Sequence, residues 1–201
     1  QGVSSAASDV YKRQDLARCT LVTGPASSGK SVWAETLALR SQRPVQYVAT
    51  GPQLPDDADW QLRLQRHRER RPPHWSTLEV GALLPEALQH QNNDHLILID
   101  SLGTWVAAEL GSEAHTWQHR VNDLIDALQS CTAPLIVVAE ETTWGVVPAS
   151  SSGLRFRDRL GRLLQQLMPC CDQAYLVLHG RVLDLMALSQ PLAGERPGEF
   201  C

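Results

Sequence analysis

Gly24-Pro25-Ala26-Ser27-Ser28-Gly29-Lys30-Ser31 fits the pattern G-x-x-x-x-G-K-[ST]. The apolar run Thr20-Leu21-Val22-Thr23 precedes it, and a helix-compatible stretch, Val32-Trp33-Ala34-Glu35-Thr36-Leu37-Ala38, follows. Strand, glycine-bearing turn and helix in that order read as a phosphate-binding loop. Backbone N–H groups of such a loop turn inward on anionic oxygens, and the helix adds the positive end of its dipole. Lys30 then reaches the β- and γ-phosphates of a nucleotide, and the Ser31 hydroxyl is a ligand for Mg²⁺. The cation needs an acid on a neighbouring strand, acting directly or through water. Leu96-Ile97-Leu98-Ile99-Asp100, four apolar residues ending in a carboxylate, offers Asp100.

Outside the loop, short apolar runs alternate with helical patterns. Residues 20–23, 45–50, 96–100, 135–139 and 174–178 read as strands buried on both faces. Candidate helices lie near residues 31–40, 57–70, 83–90, 102–110, 116–129 and 156–168. Gly180-Arg181 predicts a turn that returns the chain as a hairpin strand over 182–186. The alternation predicts an α/β fold: a mainly parallel sheet, helices on both faces and a C-terminal hairpin strand. Ligands of such sheets sit at the carboxyl ends of the strands. That rule gathers residues 24–31, Thr50-Gly51, Asp100-Ser101 and Glu140-Glu141 on one edge. A single domain is expected over residues 15–188. Residues 1–14 lack an apolar core of a signal peptide and read as a non-native or disordered leader. Residues 189–201, rich in Pro and Gly at first, read as a loose tail.

Composition narrows the function classes. A chain of 201 residues with 43% hydrophobic residues has enough material for one sizeable core. A net charge of −4 gives no electrostatic case for nucleic acid. No apolar run approaches the roughly 20 residues of a membrane span. Cys19, Cys131, Cys170, Cys171 and Cys201 are odd in number and lack metal-ligand spacing. Reduced thiols in a cytoplasmic protein are the simplest expectation.

Arg63-Leu64-Gln65-Arg66-His67-Arg68-Glu69-Arg70-Arg71 is the unusual segment. Helical spacing puts Arg63, His67, Arg70 and Arg71 on one face. A solvated basic helix is the plain account of such a run. Nearby cations, however, disfavour imidazolium, so His67 is expected to stay neutral. A neutral imidazole is a competent nucleophile toward phosphorus, and arginines can neutralise the phosphates under attack. His90, His95, His115 and His119 stand in polar surroundings. The last two are four residues apart, which allows a metal pair, but a solvated face is the stronger expectation.

Together these segments resemble the adenosylcobinamide kinase/adenosylcobinamide-phosphate guanylyltransferase family of cobalamin nucleotide-loop assembly. The resemblance runs from about residue 20 to 184. It includes Leu21-Val22-Thr23-Gly24, Tyr47-Val48-Ala49-Thr50 and the segment Arg63-Leu64-x-x-His67-Arg68-x-x-Arg71-Pro72 with His74-Trp75 and Thr77-x-Glu79. It continues through Leu98-Ile99-Asp100, Gly145-Val146-Val147-Pro148 and Phe156-Arg157-Asp158-x-x-Gly161. The resemblance implies a RecA-like phosphate-loop fold and small homo-oligomers, typically trimers. It also implies two reactions. One moves the γ-phosphate of ATP or GTP to the aminopropanol hydroxyl of adenosylcobinamide. The other takes GMP from GTP onto a histidine, which falls on His67, and passes it to adenosylcobinamide phosphate. Nucleotide contacts carried over fall on residues 24–31, on Thr50, Gly51 and Pro52, on Arg68, Glu69, Arg70 and Arg71, and on Glu79 and Asp100.

The chain departs from the family pattern at several polar positions. Pro25 stands for a second Gly of the loop, and Ser27 for an Arg. Glu140-Glu141-Thr142-Thr143 replaces Asn-Glu-Val-Gly, Leu164 replaces an Asn, and Ser150, Ser151 and Ser152 occupy a stretch usually bearing arginines. Two other accounts compete: a divergent paralogue that binds nucleotide as a switch or scaffold, and a RecA-like ATPase acting on nucleic acid. The charge and the lack of a basic-aromatic strip count against the second.

Overall fold

Strand β1 (Cys19–Gly24) is buried along its whole length, as its apolar and β-branched residues demand of a strand covered on both faces. The computed structural model describes residues 17–192 apart from 90, 92 and 146. The expected leader 1–14, His90, Val146 and the tail from 193 on, Cys201 included, lie outside the described residues. After β1 come α1 (Lys30–Arg40), β2 (Val45–Ala49), α2 (Ala58–Arg70), β3 (Ser76–Glu79), α3 (Leu84–Leu88) and β4 (Leu96–Asp100). Then follow α4 (Leu102–Ala108), α5 (Ala114–Ser130), β5 (Leu135–Glu140) and α6 (Ser151–Leu167). A 3₁₀ turn (Met168–Cys170), β6 (Gln173–Leu178), β7 (Arg181–Asp184) and α7 (Leu185–Leu188) complete the order.

The strands form one seven-stranded sheet in the order β3-β2-β4-β5-β1-β6-β7. Strand β7 runs antiparallel to β6, and the other pairings are parallel. The expected α/β phosphate-loop fold with a C-terminal hairpin strand is therefore what the chain adopts. One strand, β5, separates the loop strand β1 from the Asp100 strand β4.

Alternation along β4 shows how the two layers arise. Leu96 and Leu98 enter the core beneath α1 with Val22, Ala34, Ala38 and Val138. Ile97 and Ile99 enter the opposite core with Leu102, Trp105, Leu124 and Leu160. On α5, buried Trp117, Val121, Leu124 and Leu128 make a stripe at helical spacing. Each fully buried Leu or Ile contributes about 1.5–3 kcal/mol relative to exposure. Both cores flank β1, β4 and β5, so the carboxyl ends of these strands are held rigidly. Register aligns Gly24 with Glu140, and Ala49 with both Asp100 and Glu79, which brings one end of every central strand to one edge.

Some boundaries differ from expectation for local reasons. Strand β3 was not foreseen: it is a short edge strand, Ser-Thr-Leu-Glu, mostly exposed and without an apolar run. Helix α6 begins at Ser151, not 156, because the Ser150 hydroxyl accepts from Gly153 N–H and caps it. The hairpin strand stops at Asp184, whose carboxylate caps the short α7 by accepting from Ala187 N–H. Helix α2 ends at Arg70, and Arg71 is already extended, since a residue before proline avoids helical backbone. Arg71 is therefore not a helical i+8 position, although its side chain turns back toward the site.

Candidate active site

The loop after β1 owes its shape to two close approaches. A Cβ on Gly24 would sit 2.3 Å from the Val177 carbonyl oxygen of β6; only glycine fits there. Gly29 caps α1 at φ 97°, a left-handed conformation that glycine adopts without steric cost. Gly180 of the β6–β7 turn donates its N–H to the Ser28 carbonyl at 3.2 Å and braces the loop from behind. Lys30 is buried, and its ammonium donates to the Pro25 carbonyl at 3.3 Å. Ser31 follows it in the first turn of α1.

Helix α2 carries His67 and buries none of its residues. Asp57 caps it by accepting from Trp60 N–H at 2.9 Å. The imidazole Nδ1 of His67 lies 3.7 Å from Asp100 Oδ2, and the Arg70 guanidinium donates to the same nitrogen at 3.3 Å. The His67 pKa is held below 6.5, chiefly because its ring, though not fully buried, is partly withdrawn from water; Asp100 opposes this, while Arg70, Arg63 and Arg71 reinforce it. The neutral imidazole expected from the cations alone is thus first a consequence of burial. Tyr47 donates its hydroxyl to Asp100 Oδ2 at 3.0 Å. Burial and the Asp100 charge push the Tyr47 phenol well above its ordinary value. Arg71 stacks its guanidinium 3.8 Å over the Tyr47 ring and donates Nε–H to the His67 carbonyl.

His67, Asp100, Tyr47 and Arg71 line an open cleft at the carboxyl edge of the sheet. Of the residues expected from sequence, Lys30, Ser31, Gly51, Pro52, His67, Arg68, Arg71, Glu79 and Asp100 meet there. A second groove runs outward along Ala26, Ser27, Ser28 and Gly29 beneath Arg63, Arg66 and Arg70. His67, Lys30, Ser31 and Arg63 line both. Glu79 accepts from Arg68 at 3.1 Å and also from Gln53. Ser31 and Asp100 are oxygen donors in one cleft, a set that suits Mg²⁺.

Other expected contacts stand elsewhere. Glu69 accepts from Gln65 on the exposed side of α2 and lines neither cavity. Thr50 is buried, donates to the Ser101 carbonyl and accepts from Ser101 N–H; it joins two loops rather than facing the cleft. Gly24 and Pro25 shape the loop without lining either space. Arg70 is engaged by the buried Glu35 of α1 through two bonds, of 3.1 and 3.2 Å. His74 is exposed and lines neither space. His115 and His119 face each other on the exposed side of α5, with Nε2 atoms 3.1 Å apart. Cys19, Cys131 and Cys171 are buried near the amino ends of β1, β5 and β6, away from the cleft.

Sequence reasoning missed Tyr47 and Trp60 as cleft walls, although Tyr47 was part of a matched segment. It also missed the work of Glu140. That carboxylate accepts from Ser101 Oγ at 2.7 Å and from Gly103 N–H at 2.9 Å, and so is tied to the start of α4. Glu141 likewise holds Thr143. Both carboxylates are engaged by neighbouring donors, as Asp100 is by Tyr47.

Comparison with known proteins agrees with this layout. Residues 20–185 match the model of the family described as cobinamide kinase / cobinamide phosphate guanyltransferase. The chain is 34% identical over 175 residues to the bifunctional adenosylcobalamin biosynthesis protein CobU of Escherichia coli K12, covering 80% of this chain and 95% of that protein. It is 32% identical over 177 residues to the bifunctional protein CobP of Pseudomonas aeruginosa, covering 87% and 97%. A solved protein of Pyrococcus horikoshii OT3 has a similar fold, with a TM-score of 0.51 at 7% identity, covering 89% of this chain and 90% of that one. On the family match and the two relatives, the chain belongs to the cobinamide kinase / cobinamide phosphate guanyltransferase family.

Proposed function

We propose that this chain is a bifunctional transferase of adenosylcobalamin biosynthesis. In the kinase step a hydroxyl oxygen of adenosylcobinamide bonds to the γ-phosphorus of ATP or GTP, and the nucleoside diphosphate leaves. In the transferase step an imidazole nitrogen of His67 bonds to the α-phosphorus of GTP, and pyrophosphate leaves. A phosphate oxygen of adenosylcobinamide phosphate then takes GMP and frees His67. Splitting the transfer through a covalent histidine replaces one hard displacement by two easier ones.

The observation that carries this reading is the position of His67, which lines both the phosphate-loop groove and the cleft containing Ser31 and Asp100. Lys30 and the loop N–H groups stabilise charge on the transferred phosphoryl group. Ser31 and Asp100 would hold Mg²⁺, which supplies charge neutralisation at the phosphates when bound. Glu79, which lines the cleft, would accept from the donor edge of guanine. No helix among the described residues is long and apolar enough to cross a membrane, and we place the protein in the cytoplasm. A homo-oligomer, a trimer by family resemblance, is part of the reading; exposed Leu183 and Leu188 on β7 and α7 offer apolar surface for it.

The test is product analysis. Purified protein with adenosylcobinamide, ATP, GTP and Mg²⁺ should form adenosylcobinamide phosphate and then adenosylcobinamide-GDP, resolved by chromatography and mass spectrometry. The replacement of the loop arginine by Ser27 favours a second reading, a nucleotide-binding paralogue without transfer activity. GTP binding with neither product formed would establish that second reading instead.

A further inference from the structure

Arg70 ties α2 to α1. Its Nη2 and Nε donate to Glu35 Oε1 and Oε2 at 3.1 and 3.2 Å, and Nη2 also donates to His67 Nδ1 at 3.3 Å. Glu35 is buried and sits one turn beyond Ser31 on the helix that begins at the phosphate loop. The ring of His67 is thereby referenced to the helix that would hold the phosphates, although His67 itself belongs to a helix with no buried residue.

The contact with a donor-only group favours one tautomer. A guanidinium carries donors only. A bond from Arg70 to Nδ1 requires a lone pair on that nitrogen, so the proton of the neutral ring is on Nε2. Nδ1 is also the atom that faces Asp100, at 3.7 Å. A charge-assisted bond usually spans about 2.7–2.9 Å; at 3.3 Å this one is weak enough to yield when phosphorus arrives.

We propose that Glu35 and Arg70 are a positioning pair for His67, and that Nδ1 is the atom that takes the nucleotidyl group. This inference rests on the transferase reading above. In the step, the Nδ1 lone pair forms a bond to the α-phosphorus. The bond from that phosphorus to the bridging oxygen breaks, and pyrophosphate leaves with the electron pair. The Nε2 proton stays on the ring during attack and is lost to solvent afterwards. Arg70 keeps its two bonds to Glu35 throughout, so the guanidinium that orients the ring before attack stays beside it while Nδ1 changes partner.

Two measurements test this on the whole chain. First, the protein labelled with ¹⁵N-histidine is loaded with GTP and Mg²⁺, and phosphorus coupling to the ring nitrogens is read by NMR. Nδ1 coupling is expected, and an Nε2 adduct overturns the inference while leaving the transferase reading intact. Second, Arg70→Ala, Arg70→Lys and Glu35→Gln are compared for GTP dissociation constant and for the single-turnover rate of labelling at saturating GTP. Arg70→Ala should slow labelling about tenfold to a hundredfold, with affinity changed less than about threefold. Arg70→Lys, which still donates, should recover part of the rate, and Glu35→Gln should slow it in the same direction. An unchanged rate with weakened GTP binding makes Arg70 a phosphate contact instead and overturns the positioning role. Should Arg70→Ala fail to fold, the adduct atom and Glu35→Gln decide. A wild-type protein that takes no label overturns the transferase reading and this inference together.

Discussion

Lys30 and His67 occupy the same two cavities but depend on different physics. Lys30 donates to Pro25, and in the proposed reaction it would exchange that bond for phosphate oxygens. Lys30→Ala should therefore cost about 10²–10³ in the rate of both transfers, the scale for losing one charge-stabilising donor. Retained thermal unfolding would show that the loss is chemical. For His67 the direction of the pKa is set by burial, with Asp100 pulling the other way. An NMR titration of the nucleotide-free protein should give a midpoint below 6.5, and Asp100→Asn should lower it further. The unfolded chain binds a proton at this residue between that midpoint and pH 6.5 while the folded chain does not. Stability from His67 thus rises with pH through that window and is lost as pH falls through it. The loop, Asp100 and His67 were legible in the sequence because each is announced by local spacing. Tyr47 and Trp60 were not, because only the pairing of β2 with β4 and the seating of α2 bring them to the cleft; Glu140 was placed on the edge, but its bonds to the start of α4 were not legible.

Two elements translate the fold into the site. Helix α2 was legible from its spacing, but not its character: it buries no residue and is held by Asp57, the Arg70–Glu35 pair and the Arg71–Tyr47 stack. Such an element belongs to the low-stability part of a structure. Its amides should exchange with solvent faster than those of α5, whose inner face is a buried stripe, and GTP with Mg²⁺ should slow them. Exchange in α2 as slow as in α5 without nucleotide would contradict this account. Helix α4 depends on Glu140, which satisfies Ser101 and Gly103 at its start. Glu140→Ala strands those donors and should destabilise the protein by about 1–3 kcal/mol, measured by denaturant unfolding. The close approach of the Glu140 carboxylate also requires glycine at 103, where a Cβ would lie 2.0 Å from one of its oxygens. A carboxylate in this role carried no signal beyond its place after an apolar run, and strand β3 carried less, being polar and exposed.

At the scale of the molecule, two apolar layers hold β1, β4 and β5, and the chain spends its polar residues on the edge where these strands end. The mainly parallel character of the sheet was legible because the central strands read as uninterrupted apolar runs between helical stretches; the edge strands, half in water, gave weaker patterns. That edge brings a phosphate loop, an acid and a histidine together, and on the proposed reading its central consequence is that His67 becomes covalently nucleotidylated. The direct measurement is incubation with α-labelled GTP and Mg²⁺ followed by denaturing electrophoresis. The wild-type chain and His74→Ala should carry label that is lost in acid and kept in alkali, as a phosphoramidate is, and His67→Ala should carry none. Label that persists in His67→Ala and disappears in His74→Ala, or a wild-type chain that binds GTP yet stays unlabelled, would contradict the account.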